Sequence, residues 1–260
     1  MLSYQHGYHA GNLADVHKHA VLASALAYLT QKAKPLTYIE THSGRGVYDL
    51  QSDFSLKTGE AHEGILKVDG RQWFAADHPY QLARQATQSM FGASAYPGSP
   101  FIARTLLRDS DAVHLAELHP AEHLALKDLM GSRARVYAED GLKLANRICP
   151  PTPRRGFMLV DPSYEREEDY RQIPEFLRHI CIKWNVCVAM LWYPILRSRM
   201  HQPMVRQLER DFPGAMNHQV RFPAAREGHG MVGSGLFIVR MPYGLDRDLE
   251  HLTKCYQELI

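Results

Sequence analysis

Four acidic residues stand where a carboxylate can meet a small ligand, each at or just past the end of a short apolar run. Glu40 ends Tyr38-Ile39-Glu40 and leads into Thr41-His42-Ser43-Gly44-Arg45-Gly46. Glu117 ends Val113-His114-Leu115-Ala116-Glu117, Asp140 follows Arg135-Val136-Tyr137, and Asp161 follows Phe157-Met158-Leu159-Val160. Glycine permits positive φ and lets a ligand approach the backbone. Gly44 and Gly46 therefore read as a turn lining a nucleotide crevice at the carboxyl edge of a parallel sheet. Gly-x-Gly is also an ordinary tight turn, and the third glycine and helix-opening pattern of a dinucleotide fingerprint are missing. Glu117 is placed to accept hydrogen bonds from ribose hydroxyls, or else is a solvated strand end. Asp140 could accept a bond from an adenine amino group, and Asp140-Gly141 is equally a turn signal.

Such residues need a scaffold, and the apolar runs supply one. Strands are expected at Thr37–Glu40, Ala112–Glu117, Arg135–Tyr137, Phe157–Asp161, Val186–Trp192, Asn217–Arg221 and Leu236–Arg240. Several are continuously apolar, as strands buried on both faces should be. Helical stretches such as His119–Met130 and Glu165–Ile180 alternate with them, which argues for a parallel sheet covered by helices. A first helix is expected from about Ala14 to Gln31, capped by Asn12 or Asp15 and stopped by Pro35. Val16, Ala20, Ala23 and Ala27 share its apolar face. His19 falls at the edge of that face, and His17 and Lys18 point away. Gly44 and Glu117 are 73 residues apart, against about 20 in a dinucleotide fold. The excess, roughly Asp49 to Tyr96, is expected to be a helical insertion in a single domain spanning 1–260.

Leu159-Val160-Asp161-Pro162-Ser163-Tyr164 is the most specific motif. It resembles the Asp/Asn-Pro-Pro-Tyr signature of S-adenosylmethionine-dependent amino methyltransferases, with Ser163 in place of the second proline. The physics suits that reaction. An exocyclic amine conjugated to an aromatic ring is a poor nucleophile. The Asp161 carboxylate and Pro162 carbonyl can accept both of its N–H groups and favour a pyramidal nitrogen aimed at the methyl sulfonium. Tyr164 can stack on the extruded base, offsetting with ~1–3 kcal/mol a flipping cost of a few kcal/mol.

Further segments resemble one bacterial family, the 23S ribosomal RNA adenine-N6 methyltransferases of the RlmJ type. They are Leu2-Ser3-Tyr4-Gln5-His6, His9 through His19, Thr41 through Gly46, Tyr96-Pro97-Gly98-Ser99-Pro100, Glu117-Leu118-His119-Pro120, Leu191-Trp192-Tyr193-Pro194 and Gly230 through Gly235. The resemblance spans nearly the whole chain. It implies a class I, Rossmann-like α/β methyltransferase with a seven-stranded, mostly parallel sheet and an inserted helical subdomain. It implies that His19, His42, Ser99, Glu117, Asp140, Gly141 and Asp161 line the S-adenosylmethionine site. Tyr4 and Lys18 would lie beside the incoming adenosine. The expected partner is 23S ribosomal RNA, free or partly assembled, acted on by a monomer in the cytoplasm. Some relatives are linked to use of external DNA as a nutrient.

Other chemistries fit less well. His17 and His19 point about 200° apart on a helix and cannot share an ion. The His-Glu-x-x-His order of a metalloprotease is missing, and adenine methylation needs no metal, so none is expected. Gly233-Ser234-Gly235 is not a nucleophile elbow. Cys149, Cys181, Cys187 and Cys255 form no Cys-x-x-Cys pair and read as apolar filler. Apolar residues are 45% of the chain and net charge is +2, a soluble globular balance that leaves nucleic acid open. No apolar run suffices to cross a bilayer. For RNA contact, Arg45, Arg166 and Ala224–Met231 follow the carboxyl edge, with Arg221 and Arg226 on the far side. Arg154 and Arg155 sit at the other end of the sheet. The target would be single-stranded or bulged, because a stacked duplex hides N6. Two alternatives stay open: DNA adenine-N6 methylation, and a non-catalytic nucleic-acid-binding protein.

Overall fold

The computed structural model describes residues 5–223 and 230–260. It begins with a helix, α1 (Leu13–Thr30), and a strand, β1 (Thr37–Glu40). Before the next strand of the main sheet come β2 (Val47–Asp49), α2 (Asp53–Thr58), α3 (Lys67–Gly70), α4 (Pro79–Phe91), β3 (Ala95–Pro97) and α5 (Ser99–Leu106). Strand and helix then alternate: β4 (Ala112–Ala116), α6 (Pro120–Met130), β5 (Arg135–Tyr137), α7 (Gly141–Ile148), β6 (Gly156–Val160) and α8 (Glu167–Lys183). The described chain ends with β7 (Cys187–Leu196), α9 (His201–Asp211), β8 (Met216–Arg221), β9 (Met231–Val239) and α10 (Leu245–Gln257).

Seven strands form the main sheet in the order β5-β4-β1-β6-β7-β9-β8. The first five are parallel, and β9 runs antiparallel to both β7 and β8. This is the seven-stranded, mostly parallel sheet that the family resemblance implies. Alternate residues feed two cores, one on each face. Phe157 and Leu159 of β6 join one, Met158 and Val160 the other. The strand order reverses at β1, which pairs with β4 on one side and β6 on the other. Ligands of open α/β sheets bind outside the carboxyl ends at such a point.

Three features depart from the expected elements. The first is α1. Asn12 caps it, accepting from the Asp15 N–H at 2.9 Å. Every residue from Ala14 to Leu26 is then buried, His17, Lys18 and His19 included. The helix has no solvated face in that stretch, because α4, α5, α10 and β9 all pack around it. Second, β9 begins at Met231 rather than Leu236, and β7 runs on to Leu196. Gly233-Ser234-Gly235 looks loop-like, yet a Cβ on Gly235 would lie 2.1 Å from the Tyr193 ring. Glycine makes room there for a buried tyrosine of the neighbouring strand. Third, the 49–96 region contains α2, α3 and α4 closed off by an antiparallel pairing of β2 with β3, three residues a side and too short to be visible as strands.

Candidate active site

A cavity of about 450 Å³ opens at the carboxyl edge of the sheet. It falls in the size range of small-ligand sites, ~300–1,000 Å³. His19, His42, Ser99, Glu117, Asp140, Gly141, Asp161, Pro162, Tyr164 and Lys18 all line it. Tyr4 and Arg226 lie outside the described residues, as does most of the Ala224–Met231 segment, so the structure does not bear on them. A second hollow, about 510 Å³, lies between α3 and α4. No strand end reaches it, and the carboxylates converge on the first.

One wall is built by the turn after β1. Gly44 takes φ +62° and has the Tyr48 hydroxyl 2.2 Å from where a Cβ would sit. Its N–H donates to Glu117 Oε2 at 2.7 Å, and the His119 N–H donates to Oε1 at 2.7 Å. Burial nevertheless raises the Glu117 pKa. Each oxygen keeps accepting capacity. Asp140 caps α7 through the Lys143 N–H at 3.0 Å. A Cβ on Gly141 would come within 1.8 Å of the Thr41 carbonyl oxygen, so only glycine lets α7 start against the end of β1. Thr41 Oγ1 and His42 Nδ1 are 2.8 Å apart, and burial lowers the His42 pKa.

Behind this wall Ser99 donates to Glu40, which also accepts from the Tyr38 hydroxyl at 2.9 Å. Burial pushes the Glu40 carboxyl up to about 8 despite both donors. It is therefore a neutral acid near pH 7, a structural knot behind Ser99.

The opposite wall is α1. Lys18 is not the exposed helix lysine that its face suggested. It is buried, with Nζ 2.7 Å from Asp161 Oδ2 and 3.1 Å from Asp15 Oδ1. Asp15 also accepts from His6 Nε2 at 2.9 Å and the Gly11 N–H at 3.0 Å. Burial alone would raise its pKa, but the charges of His6 and Lys18 hold it well below the usual carboxylate range. His19 Nδ1 lies 3.0 Å from the Tyr96 hydroxyl, and burial takes its pKa down to about 3.

Asp161 and Pro162 follow β6 directly. Asp161 is half-buried, and its Oδ1 has no hydrogen-bond partner among the described residues. Two residues on, Tyr164 takes φ +54°, a left-handed turn that is rare outside glycine. Its ring is turned inward, 4.6 Å from that of Tyr170, and its hydroxyl donates to the Trp192 carbonyl at 2.9 Å. It is 8% exposed, so only a small part of it faces the cavity.

Asp15, His6 and Trp192 also line the cavity, although the sequence marks Asp15 only as a cap and the other two only within segments of resemblance. Asp15 stands three residues before Lys18, a spacing that signals a helical ion pair. Arg45 is half-buried and paired: its Nε and Nη2 bind the Glu122 carboxylate at 2.9 and 2.6 Å. Arg155 donates to the Lys34 and Leu29 carbonyls, away from the cavity. Arg166 is exposed at its rim.

The buried atoms Ser43 Oγ, His119 Nδ1 and Tyr170 OH lack hydrogen-bond partners within the described residues, and all three residues line the cavity. Unpaired buried polar atoms cost roughly 1–3 kcal/mol each. A polar ligand reaching them would remove that cost.

The family model described as "Ribosomal RNA large subunit methyltransferase D, RlmJ" matches residues 33–260. The chain is similar to the Ribosomal RNA large subunit methyltransferase J of Escherichia coli K12, at 35% identity over 97% of this chain and 91% of that one. The Haemophilus influenzae protein of the same name is 33% identical over 97% and 92%. A crystal structure of a Legionella pneumophila protein superposes with TM-score 0.86 at 34% identity, covering 96% of this chain and 94% of the other.

Proposed function

The chain belongs to the family of large-subunit ribosomal RNA methyltransferases of the RlmJ type, and from that premise we propose that it methylates the N6 amine of one adenine in 23S ribosomal RNA. The methyl donor is S-adenosylmethionine, which supplies an activated methyl on a sulfonium. The observation that carries the reading is that Asp161 and Pro162 line the same cavity as Glu117 and Asp140.

Glu117 and Asp140, at the ends of β4 and β5, suit the ribose and adenine of the donor. His42 and Ser43, after β1, stand between them and Asp161 in the order of the strands, and Ser99 joins them by its bond to Glu40. The target amine donates to the open Oδ1 of Asp161 and to the Pro162 carbonyl. Lys18 holds the other Asp161 oxygen at 2.7 Å, so the carboxylate meets the amine in one orientation. Asp161 takes up the released proton after transfer or passes it to solvent. Tyr164 and the half-buried Trp192 form the apolar side of the pocket for the flipped base. Ser163 leaves both acceptors in place.

The test is transfer of a labelled methyl group to protein-free 23S RNA and to a DNA strand of matched sequence, with product digested to nucleosides. N6-methyladenosine from RNA alone is expected. Transfer to DNA instead would replace the substrate, and transfer to neither would overturn the reading. Asp161→Ala is expected to abolish turnover and keep most donor binding. Full activity in that variant would remove Asp161 from the chemistry.

A further inference from the structure

Next to Lys18 on α1, His17 begins a buried chain of polar groups that the methyl-transfer reading does not use. His17 Nδ1 is 2.8 Å from Ser234 Oγ, and His17 Nε2 is 2.8 Å from His218 Nδ1. His218 Nε2 is 2.8 Å from Thr253 Oγ1. At one end Trp192 Nε1 donates to Ser234 Oγ at 2.9 Å; at the other Thr253 Oγ1 donates to the Leu249 carbonyl at 2.9 Å.

The ends determine every proton between them. Thr253 spends its hydroxyl proton on Leu249, so His218 Nε2 must donate to it. A neutral His218 then accepts at Nδ1, so His17 Nε2 donates and His17 Nδ1 accepts. Ser234 gives its proton to His17 and offers a lone pair to Trp192, whose indole can only donate. Burial lowers the pKa of both histidines, that of His218 to about 4, in keeping with two neutral rings. One arrangement satisfies all five side chains, and a buried network of that kind specifies one geometry.

Trp192 is where this chain meets the cavity. Its carbonyl anchors the Tyr164 hydroxyl, and the Lys18 ammonium lies 5.6 Å from its ring centroid. The ring is half-buried and lines the cavity beside Tyr164 and Pro162. We propose that His17 and Ser234 are positioning residues for methyl transfer: they hold the Trp192 indole in one orientation, and with it the apolar wall against which the acceptor base is seated. This rests on the reading of the site given above.

The experiment combines methyl-transfer kinetics with the ¹⁵N–¹H indole signal of Trp192, assigned by its loss in Trp192→Phe. Ser234→Ala should shift or broaden that signal. It should lower kcat by about 10- to 100-fold, as a small misplacement of a reactant does, and leave donor affinity within about twofold, the range of a distant, uncoupled site. In the Trp192→Phe background the same substitution should change kcat by less than about twofold, because Ser234 acts through the indole. His17→Asn places an acceptor near the Nδ1 position and should restore most of kcat. His17→Gln reaches the Nε2 position instead and should not. That pair decides the matter if Ser234→Ala fails to fold. Equal losses of kcat in both backgrounds, or equal losses in Asn and Gln variants, would overturn the proposal. So would an indole signal unchanged by Ser234→Ala, whatever the substrate proves to be. A wild-type protein that moves no methyl to RNA overturns the functional reading and leaves that signal to judge the positioning.

Discussion

Lys18 shows how much of the site depends on pairing that no local reading reveals. Its neighbours in sequence are histidines and alanines. Its partners are Asp15, one turn away, and Asp161, 143 residues away. Removing one member of a buried ion pair strands the others, at about 3–5 kcal/mol. Lys18→Met should therefore lower stability by about that much, and should lower kcat further than the unfolded fraction explains; chemical denaturation beside single-turnover kinetics separates the two. Glu40 offers the opposite case. Its folded pKa, about 8, is raised above the ordinary value of 4.5, so its contribution is complete below about 4.5 and is lost as pH rises through about 8. Glu40→Gln, a neutral stand-in, should match wild type near pH 4 and exceed it increasingly as pH rises toward 8. A wild-type advantage at pH 7 in thermal melts, below the folded pKa of about 8, would mean that Glu40 is ionised in its pocket. Arg45 taught the reverse lesson about reach, since an arginine beside a ligand loop looks free until Glu122, 77 residues on, is found beneath it.

Among elements, those buried on both faces were legible and those mixing burial with polarity were not. β6, Gly156–Val160, is buried throughout, and its continuous apolar run announces it. The strand-end acids were equally plain, because a carboxylate after such a run must face the sheet edge. Helix α1 misled for a definite reason. One-faced amphipathicity assumes a solvated side, and α1 has none from Ala14 to Leu26. Its polar residues are satisfied by partners from β6, β8 and β9, which sequence spacing cannot show. Helix α7 tests the packing argument. Gly141→Ala puts a methyl group into the Thr41 carbonyl, and overpacking costs ~1–3 kcal/mol or more. The melting temperature should fall, and donor affinity should fall with it because Asp140 moves with the start of the helix. Calorimetric titration with S-adenosylmethionine that gave wild-type affinity would show that the backbone relaxes without disturbing Asp140.

Over the whole molecule, several of the fifteen histidines are held in buried hydrogen bonds. Burial depresses the pKa of His17, His19, His42 and His218, the last to about 4 and His19 to about 3. A group whose folded pKa is depressed contributes its full share above the unfolded value, about 6.5, and loses it as pH falls toward the folded one. Asp15, also depressed, adds a further loss below its ordinary value of 3.8. Glu40 works in the other direction, from about pH 4.5 to about 8, where one group opposes four. Stability should thus be greatest near neutrality and decline steadily from pH 6.5 to 4, as denaturant melts across that range would record. A flat profile there would mean that the buried rings are protonated in the folded state.

The bonds that seat α1 also set an order in time. Lys18 waits for Asp161, His17 for Ser234, and the Leu13 carbonyl for the Tyr256 hydroxyl at 2.5 Å, 243 residues later. A ribosome adding ~5–20 residues per second keeps this first helix without its last partners for on the order of tens of seconds. Until β9 and α10 emerge, His17 lacks Ser234 and the Leu13 carbonyl lacks Tyr256. The bonds that seat α1 are therefore complete only after β9 and α10 have been made.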